Sequence, residues 1–202
     1  MLLQRFVTAL VLAPLMLAGI YLLPSIGFSV FAGSIVVLGA WEWANLAGFS
    51  APRARIVLAT ITAVVLGIIH HWITVDSLIW ALLVLSALVF WLLAGVSVYL
   101  YPRATGWLRS GPIKLAIMVP VLVALWMGLV WLKSQPDSAL LLTWLMLLVW
   151  GADIGAYFAG RAFGNRKLAP AVSPGKTWAG VYGGMATSIL VSVLIAGLYL
   201  PD

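Results

Sequence analysis

Seven stretches of this chain are each long and apolar enough to cross a bilayer, and that single pattern limits the fold more than anything else in it. A spanning α-helix needs about 20 mostly apolar residues to traverse roughly 30 Å of hydrocarbon. The candidates are Phe6 to Leu23, Ile26 to Ala47, Ile56 to Ile73, Leu78 to Leu100, Ile113 to Leu132, Ala139 to Gly160 and Ala179 to Leu200. Of the 202 residues, 64% are hydrophobic and 8% charged, against about 25% charged in an ordinary soluble domain. The expected fold is therefore an all-α, polytopic integral membrane helical bundle of about seven transmembrane helices, a single transmembrane domain over residues 1–202. The first stretch has no clear small-residue cleavage site and is followed at once by another span, so it reads as retained. The chain has no cysteine, which removes disulfides, thiolate nucleophiles and Cys-ligated metals.

Charge placement supplies the orientation. Taking alternate connections, Arg5, Arg53, Arg55, Arg103, Arg109, Lys114, Arg161, Arg166, Lys167 and Lys176 share one side, and Lys133 alone lies on the other. Short loops rich in Lys and Arg stay cytoplasmic. The N-terminus is accordingly expected in the cytoplasm and the C-terminus outside it. The net charge of +6 is then mainly an orientation device with some attraction to anionic headgroups, and no nucleic-acid partner is implied.

Ionised carboxylates inside a span are costly and mark candidate sites. Glu42, in Trp41-Glu42-Trp43, is either such a site or an interfacial acid held between indoles. Asp153 begins a polar stripe with Tyr157 and Arg161 at i, i+4 and i+8, which puts all three on one helix face. That stripe is either self-satisfied inside the bundle or lines a cavity open to the cytoplasm, where Asp153 can bind a divalent cation or orient a substrate.

The connection that follows, RAFGNRKLAPAVSPGKTW from Arg161 to Trp178, has four cations and no acid. Cations, the hydroxyls of Ser173 and Thr177 and backbone freed by Gly164 and Gly175 make an anion receptor, with phosphate the natural anion. A headgroup-anchoring loop explains the charge but not the close grouping Ser173-Pro174-Gly175-Lys176-Thr177. Gly175-Lys176-Thr177 is not a Walker A motif, because Pro170 stands where its first glycine belongs and the expected setting joins two membrane helices rather than a strand and a helix. The pairs Gly151 and Gly155, Gly160 and Gly164, and Gly180 and Gly184 have the small-residue spacing of close membrane helix packing. His70-His71, with Trp72 and Asp76 nearby, reads as interface rather than a zinc site.

The stretch Trp150 to Gly184, WGADIGAYFAGRAFGNRKLAPAVSPGKTWAGVYGG, resembles the first motif region of bacterial phosphatidate cytidylyltransferases, the CDP-diacylglycerol synthases. The shared pattern is Ala-Asp-x-x-Ala-Tyr-x-x-Gly-Arg, then Ser-Pro-x-Lys-Thr and a glycine pair; Arg5 and Glu42-Trp43 extend it weakly toward the N-terminus. The resemblance implies conversion of CTP and phosphatidate to CDP-diacylglycerol and pyrophosphate with Mg2+, at the cytoplasmic side of the bacterial inner membrane. It implies Asp153 and Lys176 as catalytic residues, with Asp153 also a metal ligand, and Tyr157, Arg161, Lys167, Ser173 and Thr177 as substrate-binding residues. Membrane lipids, and a second copy of the chain in a homodimer, are further expected partners.

This chain departs from the family pattern at Ala179, where Glu is common. A later signature with Lys-Asp and His-Gly-Gly-x-x-Asp-Arg elements is also absent from its 202 residues. With only Glu42 and Asp153 on the cytoplasmic side, the chain is expected to be incomplete for catalysis alone, its other metal ligands lying in that absent C-terminal region. An anionic-solute transporter and a non-catalytic membrane partner subunit remain alternatives.

Overall fold

The computed structural model describes residues 2–72, 77–101, 106 and 110–199, with side chains from Leu10 onward. Arg103, Arg109 and Asp76 lie outside the described residues, as does the side chain of Arg5. Seven helices follow in order: α1 (Leu2–Leu22), α2 (Ser25–Leu46), α3 (Pro52–Trp72), α4 (Leu78–Leu100), α5 (Gly111–Ser134), α6 (Ser138–Phe163) and α7 (Trp178–Tyr199). Six of them, α2 to α7, are long and apolar enough to cross a membrane by length and composition. In α1 the described apolar part is the shorter Leu10–Leu22. The protein is an all-α polytopic membrane protein, as hydropathy leads one to expect.

Several helix starts fall earlier than the hydropathy boundaries. Proline is accepted at the first helical position, where its missing N–H has no partner to lose. Thus α3 begins at Pro52 and includes Arg53 and Arg55, and α5 begins at Gly111 with Pro112 in its first turn. Arg53 and Arg55, expected in a loop, therefore sit on the first turn of α3.

The chain forms two compact units, Met1–Pro136 and Asp137–Asp202. In the first, α2 packs against both α3 and α5. Its buried positions Phe28, Ala32, Val36, Ala40 and Ala44 recur every fourth residue, a single stripe along the helix. Beside that stripe, glycines of α2 admit large α5 side chains: a Cβ on Gly33 would lie 3.3 Å from Trp126 Nε1 and one on Gly39 3.6 Å from Leu122 Cδ2. Hydroxyls inside these apolar helices are turned back on their own backbones: Ser29 Oγ donates to Ser25 O at 2.9 Å and Thr62 Oγ1 to Leu58 O at 2.9 Å. The buried Trp126 indole donates to Ser29 O at 3.0 Å. Each of these three polar hydrogens therefore has an acceptor without water, as a lipid environment requires.

The second unit is an α6–α7 helical hairpin. The basic connection, expected as an irregular loop, contains a two-stranded antiparallel hairpin of β1 (Lys167–Ala169) and β2 (Ser173–Thr177). Lys167 pairs with Thr177 and Ala169 with Ser173, so Leu168 alone faces the segment Pro174 to Lys176. Pro174 has no N–H for the ladder, and a bulge is where a strand tolerates it. Trp178 N donates to Arg166 O at 3.0 Å, closing the hairpin where α7 starts.

The two helices meet through glycine. A Cβ on Gly184 would lie 3.0 Å from Ala152 O, and one on Gly180 would lie 3.0 Å from Ala156 O. A Cβ on Gly155 would approach Gly183 O at 2.6 Å and collide with Thr187 Oγ1. Such close backbone approach replaces the hydrophobic driving force that is absent between helices in lipid. Gly155→Ala is expected to lower the thermal stability of the detergent-solubilised protein by an overpacking cost of about 1–3 kcal/mol. Gly197→Ala, where a Cβ meets nothing within 4 Å, should be neutral or slightly stabilising in the same melting experiment.

Candidate functional site

Against this glycine floor, α6, the β-hairpin and α7 enclose a cleft of about 1000 Å³. From α6 it is lined by Asp153, Tyr157 and Arg161, with Ala152, Ala156 and Gly160 beneath them. The hairpin contributes Leu168, Ser173, Gly175, Lys176 and Thr177, and α7 contributes Gly180, Val181, Gly184, Met185, Ser188 and Ile189. Six of the seven residues singled out for catalysis or substrate binding therefore line one cavity. Lys167 does not line it; the residue is exposed on β1, paired in register with Thr177.

The polar stripe on α6 is not self-satisfied. Arg161 Nη1 donates to Tyr157 Oη at 3.2 Å, which leaves Asp153 without an ion-pair or hydrogen-bond partner among the described residues. Asp153, Tyr157, Arg161 and Lys176 are all exposed to the cleft or its mouth. One acid and two cations thus face the same space, with no ion pair to either sign among the described residues.

Thr177 has a more structural position than its hydroxyl alone suggests. It is only 6% exposed, and its Oγ1 accepts a hydrogen bond from Gly180 N at 3.1 Å. This is N-capping of α7, satisfying one of the donors left free at a helix start. Gly160 and Gly164 make room for it: a Cβ on Gly160 would lie 3.1 Å from Thr177 Oγ1, and one on Gly164 would lie 2.9 Å from Thr177 Cγ2. The hydroxyl hydrogen remains available to donate.

The junction is also a strand running directly into a helix, contrary to the two-helix setting inferred from hydropathy. The reason is the hairpin, whose second strand ends at the α7 cap. Lys176 consequently stands beside the positive end of a 22-residue helix dipole, a ready anion site.

Glu42 belongs to the other unit and is ion-paired there. Its Oε1 accepts from Arg55 Nη2 at 2.7 Å, while the Arg55 guanidinium lies 4.4 Å from the Trp41 ring centre and donates to Trp41 O at 3.1 Å. The Glu42 side chain is 69% exposed, and an ion pair so open to solvent contributes little stability. His70 makes an edge contact with Trp126 and His71 with Trp72. Among the described residues no group of three or more His, Asp or Glu side chains comes together.

The cleft's side-chain oxygens are the Asp153 carboxylate and the hydroxyls of Tyr157, Ser173, Thr177 and Ser188. Magnesium generally keeps several waters and takes one or two carboxylates plus substrate phosphates. The donor set fits an ion carried in on nucleotide phosphates, but would not build a protein-only cage. Ser188, Met185 and Ile189 are lining residues that sequence reasoning missed. Their signal is faint: they follow Gly184 and Val181 at helical spacing on an otherwise featureless apolar span.

Residues 3–201 match the model of the cytidylyltransferase family. The chain belongs to that family. It is 49% identical over 186 residues to a phosphatidate cytidylyltransferase of Pseudomonas aeruginosa, covering 92% of this chain and 67% of that protein. A phosphatidate cytidylyltransferase of Haemophilus influenzae is 35% identical over 211 residues, with 96% and 72% covered, and one of Brucella suis is 30% identical over 197 residues, with 96% and 67% covered. No solved structure matches the chain. Family membership places the cleft of Asp153 and Lys176 within the matched region.

Removing the cap of this family member should be separable from removing its charge. Thr177→Val is expected to destabilise the start of α7 by about 1 kcal/mol and to speed hydrogen exchange at the Gly180 amide. Thr177→Ser should retain the wild-type exchange rate, because the capping oxygen is kept.

Proposed function

We propose that this chain carries the nucleotide- and lipid-phosphate-binding part of a phosphatidate cytidylyltransferase, which joins CTP to phosphatidate and releases pyrophosphate. The observation that carries the reading is the cleft itself. Lys176 and Asp153, unpartnered among the described residues, and the Arg161–Tyr157 pair line one cleft between α6, the hairpin and α7, in a family whose relatives from three bacteria bear that name.

In the reaction, a phosphate monoester oxygen of phosphatidate attacks the α-phosphorus of CTP. A phosphorus–oxygen bond forms there, the bond to the bridging oxygen of the β-phosphate breaks, and pyrophosphate leaves. Two anions must be brought together, so positioning and charge neutralisation dominate the barrier. Lys176 and Arg161 are the groups for that task, aided by the α7 dipole. Ser173 donates a hydrogen bond to phosphate oxygen, and Thr177 keeps the α7 terminus aimed at it. Lys167 stands outside the lining and contributes to the local positive potential.

Asp153 would hold magnesium together with the nucleotide phosphates, and the ion would supply Lewis-acid polarisation and charge screening. The cation distribution along the sequence supports a cytoplasmic position for the hairpin, and the bacterial relatives support the inner membrane. A cytoplasmic opening suits CTP, and a cleft beside a membrane helix suits a lipid phosphate at the headgroup plane.

Lys176→Ala tests the assignment. Loss of a charge-assisted contact costs about 1.5–3 kcal/mol, or roughly tenfold to a hundredfold in affinity at about 1.4 kcal/mol per decade. The measurement is equilibrium binding of CTP and of phosphatidate to the protein in lipid nanodiscs, together with transfer of cytidine label into extractable lipid. Binding that is unchanged in the variant removes Lys176 from the site. Wild-type protein that neither binds nor converts the two substrates overturns the proposal.

A further inference from the structure

The cleft is longer than a phosphate site requires, and its two walls differ. From Arg161 to Asp153, α6 descends eight residues, about 12 Å at 1.5 Å per residue. That wall carries Asp153 and Tyr157. The facing wall on α7 continues past the charged mouth through Val181, Met185 and Ile189. These recur at i, i+4 and i+8, a single stripe along the helix axis. Met185 is 57% and Ile189 61% exposed, so the stripe is accessible rather than consumed by packing. Glycine at 180 and 184 gives the groove a floor without side chains.

A headgroup bound at Lys176 would leave this apolar extension unfilled. Its direction, from the end of a membrane span toward the span's middle, is the direction in which an acyl chain leaves a lipid phosphate. We infer that the Val181–Met185–Ile189 stripe of α7 is the acyl-chain subsite for the lipid substrate, with Met185 and Ile189 determining which chains are accepted. This rests on the phosphatidate reading above. The unbranched, polarisable Met185 side chain suits a site that accommodates chains of varied shape. The polar wall is left to phosphate and nucleotide.

The test uses phosphatidate bearing a diazirine midway along one acyl chain, incorporated with the full chain into phosphatidylcholine nanodiscs. After irradiation, crosslinked peptides are mapped by mass spectrometry. Labelling is expected to concentrate between Val181 and Ile189 and to fall several-fold with excess unlabelled phosphatidate, but not with phosphatidylcholine of the same chains. Met185→Trp combined with Ile189→Trp should reduce that labelling several-fold while CTP binding is retained. Label spread equally over outward residues such as Leu92 and Leu93 of α4, or competed equally by both lipids, overturns the subsite, because the stripe would then be ordinary lipid-facing surface. Conversion of CTP without specific labelling also rejects the subsite but leaves the proposed reaction standing. Phosphatidate-specific labelling without any CTP binding or conversion supports the subsite and rejects the reaction.

Discussion

The near-contact of the α6 and α7 backbones is the constraint on which the rest of the second unit depends. Lipid offers no water-driven reason for two apolar helices to associate, so they must gain dispersion contact at short range. Gly155, Gly180, Gly183 and Gly184 provide it by having nothing where a Cβ would strike a carbonyl or side chain of the facing helix. The same closeness lets Thr177 nest beside Gly160 and Gly164 while capping α7. The cap sets where β2 ends, and the end of β2 sets where Lys176 stands. A packing requirement is thereby converted into the placement of a charge.

Charge is used differently in the two units. In the first, Arg55 pairs with Glu42, Lys114 donates to Leu46 O, and Lys133 donates to Ile20 O while lying 5.4 Å from the Phe28 ring centre. Those cations terminate helices or staple one helix to another. In the second unit, Asp153 and Lys176 line an open cleft and meet no protein partner among the described residues. In a chain only 8% charged, an unspent acid and cation facing one cavity are not explained by stability. Binding of an external group with the complementary charges explains both.

Much of this was legible from residues because lipid imposes simple rules. Long apolar runs gave the helices, and the i, i+4, i+8 stripe placed Asp153, Tyr157 and Arg161 on one wall. The boundary drifted at α3, which Pro52 starts and which still contains Arg53 and Arg55, since hydropathy registers charge as loop while helix geometry accepts it on a first turn. The β-hairpin was not legible. Its strands span three and five residues, show no alternation, and one contains both Pro174 and Gly175. Lys167 was grouped with the site by its charge and proximity in sequence, whereas strand pairing keeps it off the cleft wall. Met185 and Ile189 were hidden for the opposite reason, because on an apolar span a lining residue and a lipid-facing residue have the same composition.

The hairpin also brings a lysine to a helix N-terminus without the glycine-rich sequence usually associated with such a junction. A P-loop gains backbone donors by winding glycines around the anion. Here Pro174 and Gly175 bulge out of the ladder instead, so that the strand turns into α7 with Lys176 immediately before the capped terminus. Exposed ammonium, capping hydroxyl and helix dipole then follow one another in sequence order, at Lys176, Thr177 and the start of α7. Placing the cation on the strand rather than the helix keeps it at the mouth of the cleft, and leaves the first apolar turns of α7 free to form the wall along which a lipid chain can descend.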